Sequence, residues 1–221
     1  MSSPEAIKVM ATWVAAIADN IKNPVAGITA VLDLLETQLH DPHLLGSKVE
    51  QIRQRLAELN EYVSELAEFA QPATISPTRA SLRPLIVQAS QAITLPAGCE
   101  VVIDVPPALS ANIDQKKFVL MIKSLLRNGL EAVHSAQTPR LIVSGRMLAS
   151  GSTAISVEDN GPGIDPNQVA RALEPFFSTK EAGTGLGLAV VRKYVEAHGG
   201  GISVDRSPQL GGCRINLSLP R

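Results

Sequence analysis

The sequence predicts an α+β chain: an N-terminal antiparallel helical hairpin, then a two-layer α/β sandwich with a mostly antiparallel sheet. Three observations carry that prediction. A heptad seam runs from Leu45 to Ala70, a stretch rich in Pro, Ser and Thr follows it, and beyond that the period changes to short alternating runs.

Taken in order, Pro4 and Glu5 after Ser3 make a reasonable first turn for a helix extending to Leu39. Pro24 and Gly27 should kink or loosen it near the middle. His40, Asp41, Pro42 and His43 read as a turn, and a second helix follows to Ala70. It carries Leu45, Val49, Ile52, Leu56, Leu59, Val63, Leu66 and Ala70, alternating steps of four and three. A lone hairpin has little to bury, so two are expected to pair as a four-helix bundle, making the chain a homodimer. The alternative is that the seam packs on the rest of its own chain.

Residues 1–72 thus form the hairpin domain and residues 73–80 a linker within QPATISPTRA. Over residues 81–221 helices are expected at Ser81–Ile93, Gln115–Ser135 and Leu186–His198. Strands are expected at Glu100–Val105, Leu141–Met147, Ala154–Asp159, Gly201–Asp205 and Cys213–Leu219.

Bulk composition narrows the function. Hydrophobic residues make up 45% and charged residues 19%, an ordinary globular balance, while 3% aromatic content requires aliphatic cores. A net charge of -1 supplies no basic field for nucleic acid. Cys99 and Cys213 lie far apart without metal-ligand spacing and read as small apolar residues, compatible with a reducing cytoplasm. No apolar run reaches the ~20 residues needed to cross a bilayer, and the first residues lack the pattern of a signal peptide. The expected location is the cytoplasm.

The chemistry concentrates in four motifs: Ser124–Ala132 on a helix, Asp159-Asn160-Gly161-Pro162-Gly163 at a strand end, Pro175-Phe176-Phe177-Ser178-Thr179-Lys180, and Gly183-Thr184-Gly185-Leu186-Gly187-Leu188 opening a helix. Gly161 and Gly163 allow a tight turn that leaves the Asp159 carboxylate aimed into a pocket, where it can accept from the amino group of adenine. Gly183, Gly185 and Gly187 let main-chain N–H groups approach phosphates at a helix N-terminus, where the dipole favours anions. Asn128 offers a side-chain oxygen to a hard cation such as Mg²⁺. Each piece alone has a bland alternative: a flexible loop, an ordinary turn, a surface Asn, a solvated Lys. Their joint occurrence in this order is what points to a nucleotide.

Residues 81–221 resemble the GHKL class of ATPases, which includes histidine kinases and type II topoisomerases. The resemblance implies ATP and Mg²⁺ as ligands, with Asn128 on the metal, Asp159 reading adenine, and Gly161 and Gly163 shaping the base pocket. Lys180, Thr184, Gly185, Leu186 and Gly187 would line the phosphates beneath a mobile lid. Ser124 departs from the pattern, since the kinases usually carry a second asparagine there. Phe176 and Phe177 read equally as lid anchors or as ligand contacts.

The first half selects the sensor histidine kinases. Their first helix carries His-Glu-[Ile/Leu]-[Arg/Lys]-Asn-Pro-Leu, and residues 19–25 here read Asp19-Asn20-Ile21-Lys22-Asn23-Pro24-Val25. The two mismatches fall on the chemistry: in the family the histidine attacks the γ-phosphate and the glutamate is its base. Asparagine cannot serve as that base. A carboxylate can form an acyl phosphate, although its charge repels the incoming group. Asn23 matches the family residue that orients water when the partner response regulator is dephosphorylated; equally, it could cap or pack beside the Pro24 kink. The resemblance implies a response regulator receiver domain as partner and a sensing input from outside this core. Three functions compete: a histidine kinase core, a kinase-deficient or phosphatase-biased ATP-binding module acting on a regulator or a partner kinase subunit, and a Ser/Thr kinase. The hairpin argues against the last.

Overall fold

The computed structural model describes residues 4–37, 42–178 and 183–220, with side chains over 13–32, 46–178 and 183–220. The chain divides into two compact units, one holding Met1–Ala70 together with Ser178–Thr184, the other Gln71–Phe177 with Gly185–Arg221.

The first unit is the predicted hairpin, α1 (Pro4–Thr37) and α2 (Pro42–Ala70). Helix α1 is continuous through Pro24, which has no N–H to give the carbonyl of Asn20, so that turn lacks one rung of the helical ladder. The predicted turn at His40 and Asp41 lies outside the described residues. Near the two helix ends Trp13 meets Phe69 edge to face, with ring centres 6.0 Å apart. Little else is enclosed: Tyr62, at 2% exposure, is the hairpin's one core side chain among the described residues. The heptad seam splits in two. Ile52, Leu59 and Leu66 are half-buried, whereas Val49, Leu56 and Val63, one heptad apart, stand exposed. On α1, Val14, Ile21, Val25 and Leu32 are exposed as well.

The second unit opens with a four-residue strand, β1 (Thr78–Ser81), and α3 (Leu82–Gln91). Then come β2 (Glu100–Asp104), β3 (Ser110–Ile113), α4 (Gln115–Ala132), β4 (Arg140–Met147) and β5 (Thr153–Asp159). Helix α5 (Gly187–Ala197) precedes β6 (Gly201–Arg206) and β7 (Cys213–Leu219). Five strands form one sheet in the order β2-β4-β5-β7-β6. Only β2 pairs in parallel, with β4; the other neighbours are antiparallel, as expected. Strands β1 and β3 make a separate antiparallel pair that the sequence pattern did not reveal. Each has four residues, and TRAS and SANI carry no apolar alternation to recognise.

The core is aliphatic, as the composition requires. Helix α4 buries Phe118, Met121, Ile122, Leu125, Leu126 and Gly129, a single helical face. Helix α4 packs on β4, β5 and α5, which bury Leu141, Val143, Ile155 and Val157 from the sheet and Val190, Val191, Tyr194 and Val195 from α5. Asp114 caps α4 by accepting from Lys117 N–H at 3.0 Å. His198, the C-cap of α5, is buried and accepts at Nε2 from the Asp114 N–H (2.9 Å), so Nδ1 carries the proton and donates to the Tyr194 carbonyl. One imidazole thus ties the end of α5 to the start of α4.

Candidate functional site

Asp159 ends β5, the middle strand of the sheet, and is 6% exposed. Its Oδ1 accepts from the Gly161 N–H (2.9 Å) and from the Cys213 N–H at the start of β7 (3.1 Å). Two main-chain donors on one oxygen fix the orientation of the carboxylate. Gly212 makes this possible: a Cβ there would lie 2.4 Å from Asp159 Oδ1, so any larger residue would push the strands apart or turn the carboxylate away. Gly161, two residues beyond Asp159, is half-buried, and Gly163 turns with φ of 80°. Neighbouring Asn160 has a different task. Its Oδ1 accepts from Arg140 N–H and its Nδ2 donates to Thr138 O, both at 2.8 Å, which holds the loop onto the start of β4.

Asn128 lies on α4 one turn beyond Ser124, and both face the first turn of α5. A Cβ added to Gly187 would come 2.9 Å from Ser124 Oγ and 3.4–3.6 Å from the Asn128 amide atoms. An amide oxygen and a hydroxyl gathered at a helix N-terminus suit a hydrated hard cation beside an anion. Leu186 is the buried N-cap of α5 and Gly187 its first residue. Gly185, at φ 65°, accepts through its carbonyl from the Phe176 N–H (2.9 Å). Phe176 itself has φ of 64°, a strained conformation for a side-chain-bearing residue. Phe177 is half-buried beneath the Arg171 guanidinium, 4.5 Å from its ring centre. Within the helical unit, Thr184 Oγ1 donates to Glu65 at 2.6 Å. Lys180 lies outside the described residues.

On α1, Asp19 and Asn23 are exposed and, four residues apart, share a helix face. Asn20 is half-buried and faces the Tyr62 hydroxyl of α2. Burial pushes that phenol above its ordinary range, and the Asn20 side chain partly offsets the effect.

Asp159, Gly161, Gly163, Asn128, Gly185, Leu186 and Gly187 all lie within the sandwich unit. The motif reading missed Gly212 and Cys213. The one available signal was a Gly211-Gly212 pair directly before a strand.

Residues 113–221 match the histidine kinase-, DNA gyrase B-, and HSP90-like ATPase family, and the fold and the motif order both belong to that class. The whole chain goes further. It is 31% identical over 216 residues to the nitrogen regulation protein NtrY of Azorhizobium caulinodans, covering 92% of this chain and 28% of that one. It is 31% identical over 219 residues to the sensory histidine kinase/phosphatase NtrB of Rhodobacter capsulatus, covering 92% and 60%. Among solved structures, the mycobacterial sensor histidine kinase MprB superposes with a TM-score of 0.59 at 26% identity, covering 66% of this chain and 97% of that one. The chain belongs to the sensor histidine kinases. It spans less than two thirds of the length of these curated relatives. Among the described residues no helix is long and apolar enough to cross a membrane.

Proposed function

We propose that this chain is the cytoplasmic, ATP-binding and dimerising core of a two-component sensor protein, acting towards the receiver domain of a response regulator. The observation that carries the reading is the Asp159 carboxylate, buried at a strand end and held by two main-chain donors. In that position its remaining oxygen can accept from the adenine amino group. The phosphates would run to the N-terminus of α5, where Gly185 and Gly187 bring the backbone close. Asn128 would hold Mg²⁺, which neutralises phosphate charge when bound.

A second, finer reading is supported by the hairpin. The base position of the family holds Asn20, turned towards Tyr62, while Asp19 and Asn23 are the exposed pair. A carboxamide takes no proton at neutral pH, so ordinary autophosphorylation at this position is lost. Asn23, which can orient a water without any histidine, is accessible to a receiver. This chain is then kinase-deficient and phosphatase-biased, or acts on a partner kinase subunit.

The test is incubation with Mg²⁺ and γ-labelled ATP, comparing the chain with its Asp19→His/Asn20→Glu form and with that form carrying Asp159→Asn. The expected result is acid-labile label on the double variant alone, lost again with Asp159→Asn. Label on the unaltered chain would make Asp19 or another residue a true acceptor, and the kinase-deficient reading would fall.

A further inference from the structure

Strand β5 ends on two successive carboxylates, and neighbours along a strand point to opposite faces of the sheet. Asp159 takes one face; Glu158 takes the other and is 2% exposed. A buried carboxylate is costly unless it is paired, and Glu158 has two partners. Arg214 stands opposite it in the β5–β7 register and brings positive charge beside it, while bonding Asp205 at 2.7 Å. The buried Ser207 hydroxyl donates to Glu158 Oε2 at 2.6 Å, across a separation of 49 along the chain. Ser207 in turn builds the connection between β6 and β7. Its hydroxyl accepts from the Leu210 N–H (2.9 Å), its own N–H donates to the Gly212 carbonyl (2.8 Å), and its carbonyl accepts from the Gly211 N–H (3.0 Å). That connection delivers Gly212, packed against Asp159 Oδ1, and then Cys213, whose N–H is the second donor to Asp159. The two carboxylates of β5 therefore grip one short segment, residues 207–213, at its two ends.

We infer that Glu158 is a positioning residue for base recognition: through the Ser207 hydroxyl it fixes the β6–β7 connection, so that Gly212 and the Cys213 N–H stay against Asp159. The inference rests on the nucleotide reading above and adds to it a residue that does not touch the ligand. Without the Ser207 bond the connection can shift about the first rung of the β5–β7 ladder, Glu158 with Arg214, and the Cys213 N–H moves off Asp159 Oδ1. What Ser207 requires of position 158 is an acceptor. A carboxamide oxygen supplies one, whereas an aliphatic side chain of similar size does not. Because the effect passes through Asp159, it falls on the base and weakens ATP and ADP by the same factor.

The test compares the whole chain with its Glu158→Gln, Glu158→Leu and Ser207→Ala variants and with the Glu158→Leu/Ser207→Ala double variant. Two readouts are taken: the Cys213 amide resonance by NMR without nucleotide, and calorimetric titration with ATP and ADP in Mg²⁺. Glu158→Leu and Ser207→Ala should each move the Cys213 amide upfield and weaken both nucleotides about 10-fold, the usual worth of one hydrogen bond to a charged group. The double variant should lose no more than either single one, because both remove the same bond. Glu158→Gln should keep the resonance and most of the affinity, a rescue that general loss of stability would not produce. An unmoved Cys213 amide in both Glu158→Leu and Ser207→Ala would overturn the inference, and so would Glu158→Gln behaving like Glu158→Leu. Unchanged affinity in Glu158→Leu and Ser207→Ala, with Asp159→Asn still weakening ATP, would overturn it while leaving the pocket intact. If Asp159→Asn binds ATP as well as the unaltered chain does, the nucleotide reading itself fails and the inference goes with it. Should Glu158→Leu not fold, Ser207→Ala decides alone, since it leaves Glu158 beside Arg214.

Discussion

The hairpin and the sandwich bury their apolar residues very differently. In the sandwich nearly every periodic apolar position finds a partner in the same chain: α4 alone encloses Phe118, Met121, Ile122, Leu125 and Leu126. In the hairpin Tyr62 is the one core side chain among the described residues, and Val49, Leu56 and Val63 stay exposed along a heptad line. A heptad seam with half its residues uncovered is an incomplete core. The sandwich encloses its apolar residues within the chain, whereas the hairpin leaves a line of them uncovered, which the dimerisation proposed above would cover.

The largest effect should come from placing charge on that line. Leu56→Lys should weaken self-association by about 100-fold or more, since burying one leucine is worth about 1.5–3 kcal/mol and a symmetric dimer buries it twice. Sedimentation equilibrium reads this directly. A monomeric unaltered chain at high concentration would break the comparison. A dimer also makes melting of the hairpin depend on protein concentration, while the sandwich should not show that dependence.

Gly212→Ala should come next and should affect the sandwich alone. The added methyl would meet Asp159 Oδ1 at 2.4 Å, which should cost about 1–3 kcal/mol in calorimetry and weaken nucleotide binding as the carboxylate turns. An unchanged melting temperature and affinity would mean that the approach of β7 to Asp159 has no bearing on the pocket.

The smallest effect should be at Asp114, the cap of α4. Partial burial works to raise its pKa, but backbone donors from Lys117, Ser76 and Lys116, with the nearby His198, outweigh it and hold the carboxyl below its ordinary range. A carboxyl depressed in the folded state stabilises above its unfolded pKa. That contribution is lost as the pH falls through the depressed folded value. Asp114→Ala should therefore cost about 1 kcal/mol at neutral pH and progressively less on acidification, measured as urea midpoints at several pH values. A pH-independent difference would show that the carboxylate charge contributes nothing.

Much of this was legible in the sequence because it is local. The apolar face of α4 repeats at helical spacing, Asp159 closes an alternating run before Gly-Pro-Gly, and the seam of α2 is heptadic. What stayed hidden depends on distant partners. The Ser76 N–H reaches Asp114 across a separation of 38, so a Pro- and Ser-rich stretch that reads as linker is tied to a helix cap. Strands β1 and β3 pair only with each other and bury one small face. The split of the heptad seam into half-buried and exposed lines depends on where α1 lies, which the pattern of α2 alone does not specify.

The second donor to Asp159 comes from Cys213, a separation of 54 along the chain. Strand β7 also lies between β5 and β6 in the sheet, so β6 cannot join until β7 has arrived. A nascent polypeptide extended only as far as α5 already carries all four motifs, yet it lacks both the strand that steadies the carboxylate and the glycine that makes room for it. On the proposed reading of Asp159, nucleotide recognition would then be a late event in folding, gated by a long-range strand insertion of the slow, non-local kind. Ligand added during refolding should leave the early steps unaltered and act only after β7 has docked.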